Sequence, residues 1–245
     1  MKLNLRGMFM EKIFEKHETL FCMLLIILYL VVNSYCMQNF GLTDFRSAVI
    51  NFVFSIILIV FMILLKRLKF YGITKPENSK KFLYFFPLVI IASVNLWGGI
   101  NLEYSKEEIV FHILTMINVG FLEEIIFRGF LFKMMEKDNP RLAIWVSAIT
   151  FGIGHIINLL NGSEVIETLV QICYAIAAGY LFVIIFYKSK SLVPCIITHA
   201  LLNSLSIFLV ENFVTIYIVP AVLIIIPISY SIYINKFVKI ESEKK

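Results

Sequence analysis

The chain has 245 residues, 60% of them hydrophobic and 15% aromatic, with a net charge of +5. That apolar share exceeds what a soluble core of this size needs, which excludes an ordinary soluble domain. The basic surplus is no nucleic-acid footprint, because 19 of the 22 Lys and Arg residues fall in alternate loops and tails between apolar runs. No nucleic-acid partner is therefore expected.

Eight apolar runs follow one another, at 19–37, 46–65, 82–100, 109–135, 141–157, 168–187, 192–211 and 213–234. Most approach the ~20 residues that cross a bilayer core. The expected fold is all-α, a polytopic membrane helix bundle of about eight transmembrane helices, forming a single membrane domain over residues 1–245. The first run is too long for the core of a cleaved signal peptide, and Asn33, Tyr35 and Met37 suit no small-residue cleavage site. It reads as a signal-anchor helix. Lys66 to Lys81 is the one sizeable polar loop. Asp138, Asn139 and Pro140 make a helix start, as do Ser191 and Pro194. Ala175 and Gly179 form a small-xxx-small pair suited to close helix contact. Pro87, Pro220 and Pro227 fall inside apolar runs and are expected to bend them. Cys22, Cys36, Cys173 and Cys195 show no metal-type spacing and read as apolar fillers.

The basic segments are Lys2 to Lys16, Lys66 to Lys81, Lys133 to Arg141, Lys188 to Lys190 and Lys236 to Lys245. The alternate loops hold only Arg46 and Lys106. The positive-inside rule then puts both termini in the cytoplasm of a multi-pass cell-membrane protein. The basic side faces anionic headgroups of the lipid bilayer.

One of the eight runs carries charge at depth. Glu123, Glu124 and Arg128 sit in the middle of Ile109 to Met135. An ionisable group inside a membrane costs several kcal/mol, so such a cluster reads as a functional site. On a helix, Glu124 and Arg128 stack four apart and can neutralise each other. Glu123 lies about 100° around the helix and is the freer carboxylate.

Three further polar groups lie in other runs. His155 ends Phe151-Gly-Ile-Gly-His, and His199 and Asn203 share one face of the seventh run. At 1.5 Å per residue, Glu123 lies about 15 Å from Lys133 and His155 about 21 Å from Arg141. His199 and Asn203 lie about 12 and 18 Å from Ser191. All four reach mid-membrane and can converge on one cavity. His17 and His112 read instead as solvated or interfacial. Gly152 and Gly154 leave room beside His155 for a backbone or a substrate.

Such a set supports hydrolysis in two ways. Glu123 and His155 can activate a water while His199 and Asn203 hold the oxyanion. Alternatively His155, His199 and Glu123 bind a divalent metal such as zinc, which acidifies the water. The residues leave both open.

Glu-Glu-x-x-x-Arg at 123–128, Phe-x-x-x-His at 151–155 and His-x-x-x-Asn at 199–203 resemble the three motifs of the CPBP family. That family comprises CAAX-protease and bacteriocin-processing (Abi) membrane proteins. The resemblance covers about 109–211, the expected catalytic core; the first three runs carry no signature. It implies an intramembrane, metallo-type endopeptidase acting on membrane-associated peptide or protein substrates such as leader peptides or bacteriocins. Carried over by residue, it implies Glu123 as the water-activating base with His155 assisting, and Glu124 and Arg128 as support. His199 and Asn203 would bind the oxyanion or complete a metal set, and Phe151 would shape the cavity. Two other classes fit the buried charges: a non-proteolytic bacteriocin immunity or membrane binding protein, and a proton or solute transporter. The transporter reading lacks paired interrupted helices and a repeat. Oligomeric state is not legible.

Overall fold

A bilayer leaves backbone N–H and C=O groups no water to bond, so a chain this apolar must satisfy them within helices or a closed barrel. The computed structural model describes Lys12 and residues 14–239. Among these residues the chain is helical with no strand. Lys2, Arg6, Lys244 and Lys245, used above for topology, lie outside the described residues.

The α-helices are α1 (Glu18–Asn39), α2 (Phe45–Leu64), α3 (Phe86–Ser93), α4 (Lys106–Glu124), α5 (Lys133–Glu136), α6 (Pro140–Gly154), α7 (Val165–Ser189), α8 (Val193–Ser204) and α9 (Val219–Phe237). Wider π-helical turns occupy Ile125–Phe132, joining α4 to α5, and Val214–Ile218, leading into α9. Tighter 3-10 turns occupy Ser79–Phe85, Val94–Leu96, His155–Leu159 and Leu205–Phe208. Among the described residues, seven segments are long and apolar enough to cross a membrane, which agrees with a polytopic helical bundle. The eighth expected span is the shorter apolar segment Val193–Phe208.

The caps explain where helices begin. Ser105 accepts from Glu108 N at the start of α4, and the Glu108 carboxylate accepts from Ser105 N, a reciprocal capping box. Asn139 accepts from Leu142 N at 3.1 Å, with Pro140 opening α6. Pro87 and Pro220 occupy first turns of α3 and α9, each directly after an irregular turn: Ser79–Phe85 before Pro87 and the Val214–Ile218 π turn before Pro220. Pro227 does lie inside α9. The third span also departs from a plain helix. Leu83, Tyr84 and Phe85 take left-handed backbone (φ 52°, 49° and 61°), so regular helix begins only at Phe86.

Burial separates a central layer from a peripheral one. The most apolar windows of Lys106–Glu136 and Val165–Ser189 are 50% and 56% buried, against 22% for α1. Helix α1 turns Leu20, Met23, Leu24 and Ile27 outward and keeps Cys22, Leu25, Tyr29 and Cys36 inward. All eight residues of Ile125–Phe132 are buried, so this π turn is the axis of the bundle.

The basic segments gather at one end. Arg67 pairs with Glu15, and Lys137 with Glu18 at 2.5 Å. Lys188 donates to the Val238 carbonyl at 2.6 Å, and Glu77 N bonds Ser189 O at 2.9 Å. At the other end, Ser34 donates to Asn161 at 2.7 Å and Asn101 N bonds Phe208 O at 2.9 Å.

Candidate active site

Glu123 and Glu124 close α4 where the helix widens into the π turn. Such turns are rare and recur at functional sites, because they re-aim side chains over one turn. Here the turn keeps Arg128 within reach of Glu124: Nη1 and Oε1 are 3.2 Å apart, and both side chains have no solvent access. An isolated charge at this depth would be far costlier than the pair. The guanidinium also lies over the Phe151 ring at 4.1 Å and the Phe182 ring at 5.8 Å. Room for it comes from Gly179 on α7, where a Cβ would sit 3.1 Å from Arg128 Nη2 and 3.1 Å from the Phe151 ring. The small-xxx-small pair thus has a definite task on one of its two members.

His199 bridges the two carboxylates. Its Nδ1 lies 2.9 Å from Glu124 Oε1 and its Nε2 3.2 Å from Glu123 Oε2. With both ring protons in place, two carboxylates, one imidazolium and one guanidinium sum to zero charge. The close approach of α8 to α4 rests on Gly120, where a Cβ would fall 2.8 Å from Ala200 N and 3.2 Å from the His199 carbonyl carbon. Glu123 completes its contacts through Tyr29 on α1, whose hydroxyl donates to Oε1 at 2.7 Å. The side chain of Glu123 keeps 14% exposure, whereas that of Glu124 keeps none.

His155 caps α6 and opens the following 3-10 turn. Its Nδ1 lies 3.2 Å from the Phe151 carbonyl oxygen. It is not ion-paired to Glu123, though it lies near enough to feel the charges of Glu123 and His199. Phe151 is the shared wall: its ring meets His155 edge-on at 5.2 Å and His199 edge-on at 5.6 Å. Gly152, expected to admit a substrate, instead admits α7, since a Cβ there would lie 3.0 Å from Ile176 N. Gly154 is roomier, with its nearest neighbours at 3.8 and 3.9 Å.

Glu123, Glu124, Arg128, Phe151 and His199 therefore form one contact network with His155 at its edge. Asn203 is not joined to it. It lies one turn beyond His199 and uses its carbonyl to accept from Ser206 Oγ at 2.7 Å, with His112 Nε2 at 3.3 Å. His112 corrects an expectation: it is buried, not solvated, and also lies 3.2 Å from Ser206 Oγ. His17 is exposed, as expected. Cys22, Cys36 and Cys195 are buried, and Cys173 is exposed.

Among the described residues, no group of three or more His, Cys, Asp and Glu is arranged to hold a metal ion. As placed, His155, His199 and Glu123 do not make a ligand cluster, because both ring nitrogens of His199 face carboxylates.

Sequence reasoning missed Tyr29, Phe182 and Gly120. Tyr29 had a readable signal, since Cys22, Leu25, Tyr29 and Cys36 recur at helical spacing and Tyr29 is the hydroxyl on that inward stripe. Gly120 and Phe182 carry no comparable mark.

No curated protein and no solved structure matches the chain. Residues 105–205 match the family model described as type II CAAX prenyl endopeptidase Rce1-like. The matched stretch starts at the N-cap of α4, ends just past α8, and contains all three motifs. That stretch is less than half of the chain, and over it the chain is similar to the Rce1-like family.

Proposed function

We propose that the protein is an intramembrane endopeptidase that hydrolyses peptide bonds in membrane-associated peptides or proteins, with Glu123 as the base. The observation that carries this reading is the contrast between adjacent carboxylates. Glu124 is sealed against Arg128, whereas Glu123 is held by Tyr29 and His199 yet remains open to its surroundings. A base must reach the proton it removes, and only Glu123 is so placed.

In the proposed step a water between Glu123 and His155 gives a proton to the Glu123 carboxylate. The hydroxide adds to the peptide carbonyl carbon, and the carbonyl electron pair moves to oxygen. The oxyanion's electron pair then re-forms the C=O bond as the C–N bond breaks and protonated Glu123 returns its proton to the leaving nitrogen, giving a carboxylic acid and an amine. His155 orients the water through its free Nε2. His199 fixes both carboxylates, and Asn203 is the proposed donor to the oxyanion. Arg128 pairs with Glu124 at depth and holds it in place.

The matched family's name specifies CAAX prenyl substrates. The class proposed here is broader: any peptide held at the membrane in extended form. Clustering of the basic segments at one end supports placing that end, with both termini, in the cytoplasm. The test is peptide profiling of membranes carrying wild-type protein or Glu123→Gln, at equal expression, with and without a chelator. Peptides produced only by the wild type support the reading, and identical profiles overturn it. Loss of cleavage on chelation would select the metal-dependent route.

A further inference from the structure

The end of the molecule that gathers the basic segments carries a cavity of about 350 Å³, remote from the carboxylates. Lys69, Lys133 and Lys190 line it together with one carboxylate, Glu136, a surplus of two positive charges. Its walls are aromatic. Lys133 Nζ lies 4.8 Å from the Phe70 ring centre and 5.6 Å from that of Phe186, and it also pairs with Glu136. Lys190 Nζ lies 4.9 Å from the Tyr187 ring centre.

Two further observations set this cavity apart from a solvated basic loop. Lys190 adopts left-handed backbone, φ 59°, at the end of α7, where glycine is the residue that fits without strain. Burial lowers the pKa of its ammonium; Glu136 opposes that effect, Lys133 adds to it, and Glu77 opposes it. The chain thus holds a partly desolvated cation beside a second one. The lysines also share a level: Lys133 follows the π turn near the end of its span, Lys190 directly follows α7, and Lys69 lies just past α2. That is the depth expected of headgroups, and Phe70, one of the lining residues, is exposed.

We propose that this cavity is a binding site for the phosphate of an anionic phospholipid headgroup, with the acyl chains lying along the aromatic wall. Basic pockets between helices at the cytoplasmic end of a bundle have the chemistry for such headgroups. The size suits a phosphate with a small alcohol attached. An acidic peptide is less favoured, because half of the lining residues are aromatic and offer an acyl chain apolar contact. The inference is independent of the protease reading, and either can fail alone.

The test uses the full chain purified in a neutral detergent. Phosphatidylglycerol binding is read by native mass spectrometry and by thermal shift, with phosphatidylcholine, inorganic phosphate and a Glu-rich peptide as parallel probes. The wild type should retain phosphatidylglycerol selectively. Binding should weaken about fivefold for each of Lys69→Gln, Lys133→Gln and Lys190→Asn, the asparagine tolerating left-handed backbone. Lys75→Gln and Lys80→Gln, in the same polar loop but away from the cavity, should leave it unchanged. Glu136→Gln should tighten binding, which keeps the proposal testable if the lysine variants misfold. Equal retention of both lipids, equal losses in the loop controls, or weaker binding in Glu136→Gln would overturn it. Inorganic phosphate reproducing the whole shift would replace the lipid by a soluble phosphate, and a response to the peptide alone would overturn the phosphate assignment.

Discussion

Two carboxylates one peptide bond apart meet different surroundings. Glu124 is sealed and paired with Arg128, whose guanidinium lies over Phe151 and Phe182. Glu123 is partly open and is held by one hydroxyl and one imidazole nitrogen. The difference follows from position at the α4–π junction: Glu123 points toward Tyr29 on α1 and His199 on α8, and Glu124 toward Arg128 in the bundle interior. A buried ion pair contributes little net stability, but removing one partner leaves an uncompensated charge. The sealed residue is thus a structural liability if touched, and the open one a chemical resource. His199 connects the two, so a change on either side reaches the other.

The comparison breaks most sharply in activity. Glu123→Gln should lower cleavage by about 100- to 10,000-fold, the usual loss of a general base, while thermal unfolding in detergent stays close to wild type. A variant that cleaves normally would remove Glu123 from the chemistry. On the sealed side, Arg128→Ala should cost about 3–5 kcal/mol of stability by stranding Glu124. That loss should appear as poor insertion yield and a low unfolding temperature. The double variant Arg128→Met with Glu124→Leu should recover much of the yield but not the activity.

Smaller changes sharpen the picture. Gly120→Ala places a methyl against the α8 backbone and should cost about 1–3 kcal/mol, with cleavage falling further than stability because His199 moves away from both carboxylates. Comparing activity at matched folded fraction would reveal whether that excess loss exists. Tyr29→Phe removes only the hydroxyl bonded to Glu123 and should cost about 1 kcal/mol. Its signature is a several-fold fall in kcat with KM unchanged. An unaltered kcat would leave Tyr29 as a packing residue.

Helical periodicity read the Glu124–Arg128 pair correctly, since four-residue spacing brings the two side chains together even where the helix widens. Counting residues by depth anticipated that His155 and His199 would come to the same level as Glu123, and both meet the Phe151 ring. Tertiary facts escaped. His112 looked interfacial by position along its run, but the end of α8 supplies the Asn203 carbonyl and the 3-10 turn after it supplies Ser206. The bifurcated engagement of His199 depends on how closely α8 approaches α4, which no periodicity encodes. Nor does an apolar run reveal three left-handed residues inside it, as at Leu83, Tyr84 and Phe85, because hydropathy carries no backbone angle.

That broken entry has a consequence for the surrounding lipid. Helix α3 with its 3-10 extension rises only about 18 Å, and α8 with its own about 26 Å, against a hydrocarbon thickness of ~30 Å. The two are neighbours, tied by Asn95 donating to the Leu202 carbonyl at 2.7 Å. On this flank the regular helices fall short of the hydrocarbon layer, a mismatch that local thinning of the bilayer relieves. A polypeptide lying at the headgroups then has a shorter descent to His199 here than anywhere beside the taller α1, α2 or α7.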